Sequence, residues 1–500
     1  LPANLLLSDE AAEWLKAGVP IVLQHDLMTA HSLIAGLAQD EAGAIQGSAT
    51  RILRTSVESR QGGLHIESTL ADAVTHKVVK VESVDASSTD QLLPALNSLA
   101  KKIDPDATPF STNNQQAWQS YVTSQGSNDP QQRAQFLNQA IGQDPNFGFA
   151  WVTLLEMIAP NRQTDVKNMI DEGKSHRKAF GAYDRAKFDL AMNRLTNAAP
   201  AEQIRSAQQT LALAPNDLDA LTMLGSYQIL AGATAAGEES LRRAVTLNPA
   251  NIGLRFQLAR GLLELRKYQE AEATFSSIEK TPAVYPEMAT CVLLEGDKTR
   301  AATISEKFVA SVQNDELKAL LRAYGEVISG DRQKGIDLVM GTKFDTPAIH
   351  ARALTDAVIW QLMGGDYAGA QKTVAMLSQA SSQAATLVGV ASLLADKTSS
   401  AADWQKKVEA AALPQGVREP ILAYGFFLRG NYAEAVTAWQ HVDDTSHGMD
   451  LHARAMLASS LDHLGKQTEA QRIAVLPFAA EFSDLYSAIS FTEMRRMLPK

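Results

Sequence analysis

Five hundred residues are more than one core organises, so at least two folding units are expected. Apolar residues make up 45% and charged ones 20%, which excludes a globally disordered chain. The net charge of −10, spread along the chain, excludes nucleic acid as the main partner, because a phosphate backbone needs a basic footprint.

The lone cysteine, Cys291, excludes an internal disulfide framework and a cysteine-based zinc cluster. It lies in the apolar run 288–294 and reads as a buried small hydrophobe. No stretch reaches the ~18 consecutive apolar residues of a membrane span. The chain begins at Leu1, so an upstream signal peptide, lipid anchor or membrane-attached segment is an expectation.

In chain order, the pattern predicts helices over 8–17 and 29–40 with a short β-like run at 19–23 between them. His25, Asp26 and His31 then read as ordinary polar turn residues. Strands follow over 44–60, 64–73 and 77–84. The alternation of His65, Glu67 and Thr69 with Ile66, Ser68 and Leu70 suits a half-buried antiparallel hairpin, and Gln61-Gly62-Gly63 supplies the turn. A helix over 89–103, with Asp90 in its first turn and Lys101-Lys102 in its last, closes the unit as the helix dipole favours.

Three segments, Ala44-Ile45-Gln46-Gly47-Ser48, Leu64-His65-Ile66-Glu67-Ser68-Thr69-Leu70-Ala71-Asp72-Ala73 and Lys77-Val78-Val79-Lys80-Val81, resemble the amino-terminal domain of TolB and its curli-assembly and flagellar outer-membrane relatives. The resemblance covers about a fifth of the chain and implies a small α/β sandwich over 1–105 in a bacterial protein. That family's usual first strand is poorly represented near residues 1–7.

Asp104-Pro105-Asp106-Ala107-Thr108-Pro109 cannot continue a helix and reads as a linker. From 111 to 500 the pattern is helical and repeats. At a spacing of 34, Leu224-Gly225 pairs with Leu258-Ala259, Gly237 with Ala271, Leu241 with Phe275, and Pro215 with Pro249. Small residues stand where paired helices would cross, and proline stops the second helix. The turns Arg266-Lys267-Tyr268, Gly365-Asp366-Tyr367, Gly430-Asn431-Tyr432 and Gly465-Lys466-Gln467 each run on to an alanine. This pattern is similar to that of tetratricopeptide repeats, clearest over 218–285, 351–384 and 416–484, with an irregular helix pair inserted between 160 and 200. The implied fold class is mainly α, a right-handed superhelix of antiparallel helix pairs behind the α/β unit.

No phosphate-binding loop, dinucleotide fingerprint, metalloprotease motif or nucleophile elbow occurs. His441, Asp443, Asp444, His447, Asp450, His452 and His463 are the nearest approach to a metal set, but their spacing suits a solvated loop. No catalytic residue, cofactor or metal is therefore expected. The resemblance to tetratricopeptide repeats implies a groove that grips a peptide or helix of a protein partner. Groove candidates by repeat position are Thr222, Ser226 and Ile229, then Phe256, Arg260 and Leu263, then Tyr424 and Phe427. Family members that bind carboxyl-terminal tails place Lys and Asn there, so an apolar or mixed peptide is expected instead. Two settings fit: a scaffold in a periplasmic or envelope-associated complex, or the cytoplasmic regulatory part of a longer signalling protein whose kinase or DNA-binding domain lies upstream.

Overall fold

The computed structural model describes residues 1–7, 13–60, 63–158, 163–278, 284–377, 399–411, 415–446 and 450–475, together with 393, 396, 413, 493–494 and 496–497. The chain forms two compact units, Leu1–Leu254 and Arg255–Lys500.

The first unit opens with β1 (Asn4–Leu6), α1 (Leu15–Leu27) and α2 (Glu41–Gln46). Strands β2 (Arg51–Arg60), β3 (Gly63–Asp72) and β4 (Val78–Ala86) follow, and a short 3-10 turn leads into α3 (Leu92–Ile103). The sheet order is β1-β2-β3-β4. The first strand, poorly represented in the sequence pattern, is present and pairs in parallel with β2, Leu5 opposite Val57. The hairpin pairs Arg60 with Gly63 and Val57 with Ile66. Gly63 must be glycine, since a Cβ there would sit 2.2 Å from the Ala86 carbonyl oxygen. Leucines of α3 and Ile66, Val57 and Leu64 of the sheet share one core with α1.

Three expectations are corrected. Residues 19–23 are helical, not β-like: they lie in α1 and are wholly buried, so the run is apolar all round. Residues 29–40 are not helical. The strand expected over 44–60 begins only at Arg51, because Asp40 accepts the Gly43 N–H and caps α2. Pro20 inside α1 has no N–H to give to Lys16, and that carbonyl instead accepts the Ala3 N–H at 2.8 Å, tying the chain start to α1.

The same core continues through the segment after α3. Ala107 and Phe110 are buried, and Thr108 N–H donates to the Asp26 carbonyl at 3.0 Å. The proline-bearing stretch is thus pinned to α1 rather than a loose tether. Helices α4 (Gln115–Gly126), α5 (Pro130–Gln143), α6 (Gly148–Glu156), α7 (Gln163–His176) and α8 (Ala182–Leu195) come next. Asn114 caps α4, and Asp129 caps α5 ahead of Pro130. Gly173 lets α7 come so near α8 that a Cβ would lie 2.7 Å from the Phe188 ring. The unit ends with α9 (Pro200–Leu213), α10 (Leu218–Leu230) and α11 (Thr234–Leu247). The irregular pair expected between 160 and 200 is likewise corrected: α8 packs on α9 across a left-handed turn at Asn197, 35 residues before Gly232, so α8 opens a regular pair and only α7 stands outside the pattern.

The second unit takes in most of α12 (Ile252–Glu264), then α13 (Tyr268–Ser276), α14 (Val284–Leu294), α15 (Lys298–Ser311), α16 (Asp315–Ser329), α17 (Arg332–Gly341), α18 (Pro347–Gly364) and α19 (Tyr367–Met376). After them the described helices are α20 (Ala401–Ala410), α21 (Gln415–Leu428), α22 (Tyr432–Thr445), α23 (Leu451–His463) and α24 (Gln467–Ile473).

One backbone feature makes the repeat explicit. Left-handed residues follow the first helix of a pair at Asn197, Gly232, Arg266, Gly296, Gly330, Gly365, Gly430 and Gly465, whereas α4 ends on an extended Ser127. Several of these stand 34 or 35 residues apart, as helix pairs of constant size require. Asp297, Asp331 and Asp366, each directly after such a glycine, accept a backbone N–H and start the second helix. Where the pair crosses, glycine permits near-contact of backbones. A Cβ on Gly237 would lie 2.6 Å from the Gly225 oxygen, and one on Gly335 2.9 Å from the Ala323 oxygen. The fold is mainly α, antiparallel helix pairs in the tetratricopeptide arrangement, with one small sheet at the amino terminus.

Candidate functional site

The residues assigned to a groove divide into accessible and packed ones. In the first unit Thr222 and Ser226 are half-buried on α10, and the Thr222 hydroxyl donates back to the Leu218 carbonyl at 2.7 Å. Ile229 is buried. In the second unit Phe256 and Arg260 are half-buried on α12 and meet, with the guanidinium carbon 6.0 Å from the ring centroid. Phe256 also packs edge-on against Phe275, 5.5 Å away, so Phe275 fills its own helix pair.

Leu263, Tyr424 and Phe427 are buried. Phe427 meets the rings of Tyr432 and His463 edge-on, and those two rings stack 4.4 Å apart. An aromatic at a groove position and one at a packing position recur with the same helical period, which is why spacing alone does not separate them.

The histidine-rich stretch comes apart in the structure. His441 lies 3.7 Å from Glu419, Asp450 caps α23 through the His452 and Ala453 amides, and His463 faces Glu493 at 3.5 Å. His447 lies outside the described residues. Among the described residues, no three His, Cys, Asp or Glu side chains gather as a metal site. Cys291 is buried, and burial together with the Glu287 charge pushes its thiol well above the ordinary range, away from the reactive thiolate.

The chemistry-bearing cluster lies elsewhere, inside the first unit. His25 and Asp26, expected in a turn, sit in the last turns of α1 and are fully buried. His25 Nε2 is 3.0 Å from Asp184 Oδ1 on α8, and its Nδ1 is 3.2 Å from Asp26 Oδ1. Burial disfavours the imidazolium, but the Asp184 and Asp26 carboxylates outweigh it and raise the His25 pKa to about 9. Burial raises Asp26 to about 6, against the pull of His25. Phe110 and Phe149 close over the ring edge-on at 5.0 and 4.6 Å.

One residue along α8, a second buried group begins. The Tyr183 hydroxyl donates to Asp217 Oδ2 at 2.7 Å, and Lys187 Nζ lies 3.3, 3.4 and 3.6 Å from Asp217, Asp219 and Glu156. Burial disfavours the Lys187 ammonium, yet Asp217 and the surrounding oxygens hold its pKa well above the usual value. Asp217 is held below its usual range, with Lys187 overcoming the cost of burial. Asp217 also accepts the Ala220 N–H, so the same carboxylate caps α10.

The arrangement resembles a proton-relay set in its residue types, but aromatic rings enclose it. What it does is join α1 of the sandwich to the first helices of two successive pairs, α8 and α10. A further link, Asn216 Nδ2 to the His31 carbonyl at 3.1 Å, joins the same regions at the surface. Sequence reasoning missed this set because its members are 159 and 34 positions apart. The Pro20-bearing apolar helix was the only local sign that His25 would be buried.

No family model matches the chain, and no curated protein matches it. Among solved structures it is similar to a tetratricopeptide repeat protein from Parabacteroides merdae, at 14% identity over 47% of this chain and 96% of that one, with a TM-score of 0.35. A chain of the APC/C Cut9–Hcn1 hetero-tetramer aligns at 12% identity over 80% of each chain, TM-score 0.30. A chain of the Naa15/Naa10 complex bound to HypK-THB aligns at 13% identity over 72% of this chain and 68% of that one, TM-score 0.24. The tetratricopeptide arrangement accordingly stands on the turn spacing and helix crossings described above.

Proposed function

We propose that the chain is a non-enzymatic protein-binding scaffold whose first helices of successive pairs hold a peptide or helix of a partner protein. The observation that carries this reading is the recurrence of left-handed turns at near-constant spacing, which within each unit sets equivalent side chains of successive first helices in a row. The polar groups best suited to chemistry are spent on internal ion pairs, while Thr222 and Ser226 in one unit and Phe256 and Arg260 in the other keep accessible surface. A face with an aromatic ring and a guanidinium suits an apolar or mixed segment better than a free carboxylate tail.

The resemblance of residues 1–105 to the TolB amino-terminal domain supports a finer reading. In it the sandwich docks one component of a bacterial envelope-associated complex and the helix pairs hold another, in the periplasm. Co-purification from the native organism names the partner. Its retention should fall by about tenfold on Phe256→Ala/Arg260→Ala, as removal of an anchoring aromatic and its cation does. Equal retention by a folded double variant sinks the assignment of this face, and fractionation of the native cells tests the compartment.

A further inference from the structure

Strand β4 is an edge of the sheet, with β3 as its one strand neighbour among the described residues. The hydrogen-bond parity of the sheet shows which backbone groups are open. Ala73 N–H donates to the Thr50 carbonyl and Asp72 N–H to the Lys77 carbonyl, so odd residues of β3 bond towards β2 and even ones towards β4. The register pairs Leu70, Ser68 and Ile66 with Lys80, Glu82 and Val84, which places these even residues of β4 in the ladder. The amides of Val81, Ser83 and Asp85 therefore face the open edge. In agreement, the Ser83 carbonyl accepts from the Lys102 ammonium at 2.7 Å, beside the strand.

This edge is apolar to an unusual degree. Val78, Val79 and Val81 of β4 are all more than half exposed, and Val74 in the turn before the strand is 80% exposed. Edge strands normally carry charge to repel a second strand. Here the charges have a different arrangement: Lys80 and Glu82 flank Val81 symmetrically, 3.4 Å apart within the strand, with the Lys80 ammonium also donating to the Lys102 and Ile103 carbonyls.

We propose that β4 is a homodimer surface, on which β4 of a second copy of this chain adds antiparallel about a twofold axis through Val81. In that register the two Val81 residues exchange both backbone hydrogen bonds. Lys80 of each copy faces Glu82 of the other. Shifting the axis to Lys80 or to Glu82 sets identical charges directly opposite each other, and an axis at Val79 or Ser83 gives Lys80 no carboxylate to face, so the charge pattern favours the Val81 register. The Ser83 carbonyl has a second lone pair and accepts the incoming N–H while Lys102 stays in place. The bulge between Leu70 and Ala71 ends regular pairing at Val79, so the added ladder is short and the dimer dissociates on dilution. This association goes beyond the scaffold reading and does not depend on it.

Sedimentation velocity of the full chain across a concentration series tests the idea. The expected result is a monomer–dimer equilibrium. Val81→Lys, at an exposed position that leaves the monomer core untouched, should weaken it by about tenfold or more, since like charges then meet on the axis. Lys80→Glu and Glu82→Lys should each be monomeric alone, yet associate when mixed, because opposite charges again face each other. A chain that stays monomeric at all concentrations overturns the proposal. So does a Val81→Lys chain that dimerises as the unaltered chain does, or a mixture of the two charge variants that associates no better than either alone. If Lys80→Glu fails to fold through loss of the Lys80 bonds to the Lys102 and Ile103 carbonyls, Val81→Lys decides by itself.

Discussion

His25 on α1 and Asp184 on α8 form an enclosed ion pair, Nε2 to Oδ1 3.0 Å, across 159 positions of sequence. The pair fixes the orientation of the sandwich helix against the helix-pair region within the first unit. It also makes that contact sensitive to protonation.

The His25 pKa is raised to about 9, with burial overcome by Asp184 and Asp26, so the folded state holds its proton more tightly than the unfolded chain does. Its contribution is complete below the unfolded value of about 6.5 and is lost as pH rises through about 9, on the order of a few kcal/mol. Asp26, raised to about 6 by burial, acts in the same direction but in a lower window, roughly pH 4 to 6. Hydrogen exchange of the α1 amides should therefore accelerate between pH 7 and 9.5 beyond the intrinsic base-catalysed rise. His25→Gln should remove that excess. An excess of equal size in His25→Gln would show that another group titrates there.

Lys187 neutralises Asp217 in a place with little water. Lys187→Met should destabilise the first unit by about 3–5 kcal/mol, because it strands a buried carboxylate. Lys187→Met/Asp217→Asn should recover most of the loss, since the Asn side-chain carbonyl can still accept the Ala220 N–H. Urea unfolding of the single and double variants measures both, and strict additivity would argue against a coupled pair.

The Gly225–Gly237 crossing allows no side chain. Gly237→Ala, whose Cβ would lie 2.6 Å from the Gly225 oxygen, should cost about 1–3 kcal/mol despite alanine's better helix propensity. Ala271→Gly at the equivalent place in the next pair should cost only about 1 kcal/mol, the propensity difference. Thermal unfolding distinguishes the two, and equal losses would mean that the crossing is looser than described.

Arg266 holds the left-handed turn position that glycine holds in most pairs, at φ 61°. Arg266→Gly should stabilise the second unit by about 1 kcal/mol, and Gly365→Ala should destabilise it by a similar amount. Differential scanning calorimetry reads both shifts, and an unchanged transition in both would refute the assignment of backbone strain.

Much of the repeat was legible because its signals are local. Gly365, Gly430 and Gly465 announce turns by their neighbours, and Gly237 marks a crossing by its smallness. Gly232, Gly296 and Gly330 serve the same turn but went unread, since the Tyr or Gln that follows elsewhere is replaced by Thr234, Lys298 and Arg332. The run at residues 19–23 misled for a related reason. A helix buried on all sides has no polar face to reveal its period, and β-branched Val19, Ile21 and Val22 around Pro20 imitate a strand.

The sequence by itself thus determined most of the helix pairs, the existence of the hairpin and the absence of a familiar catalytic motif, all of which follow from propensities and spacings within a few tens of residues. Only the tertiary structure decided that His25 pairs with Asp184, that Lys187 closes on Asp217, that Tyr424 and Phe427 are packed, and that the amides of Val81 face outward. Each of these depends on which distant segment excludes water from a side chain or completes a backbone ladder. Burial and charge pairing are properties of that surrounding, and a local pattern of residue types does not encode it.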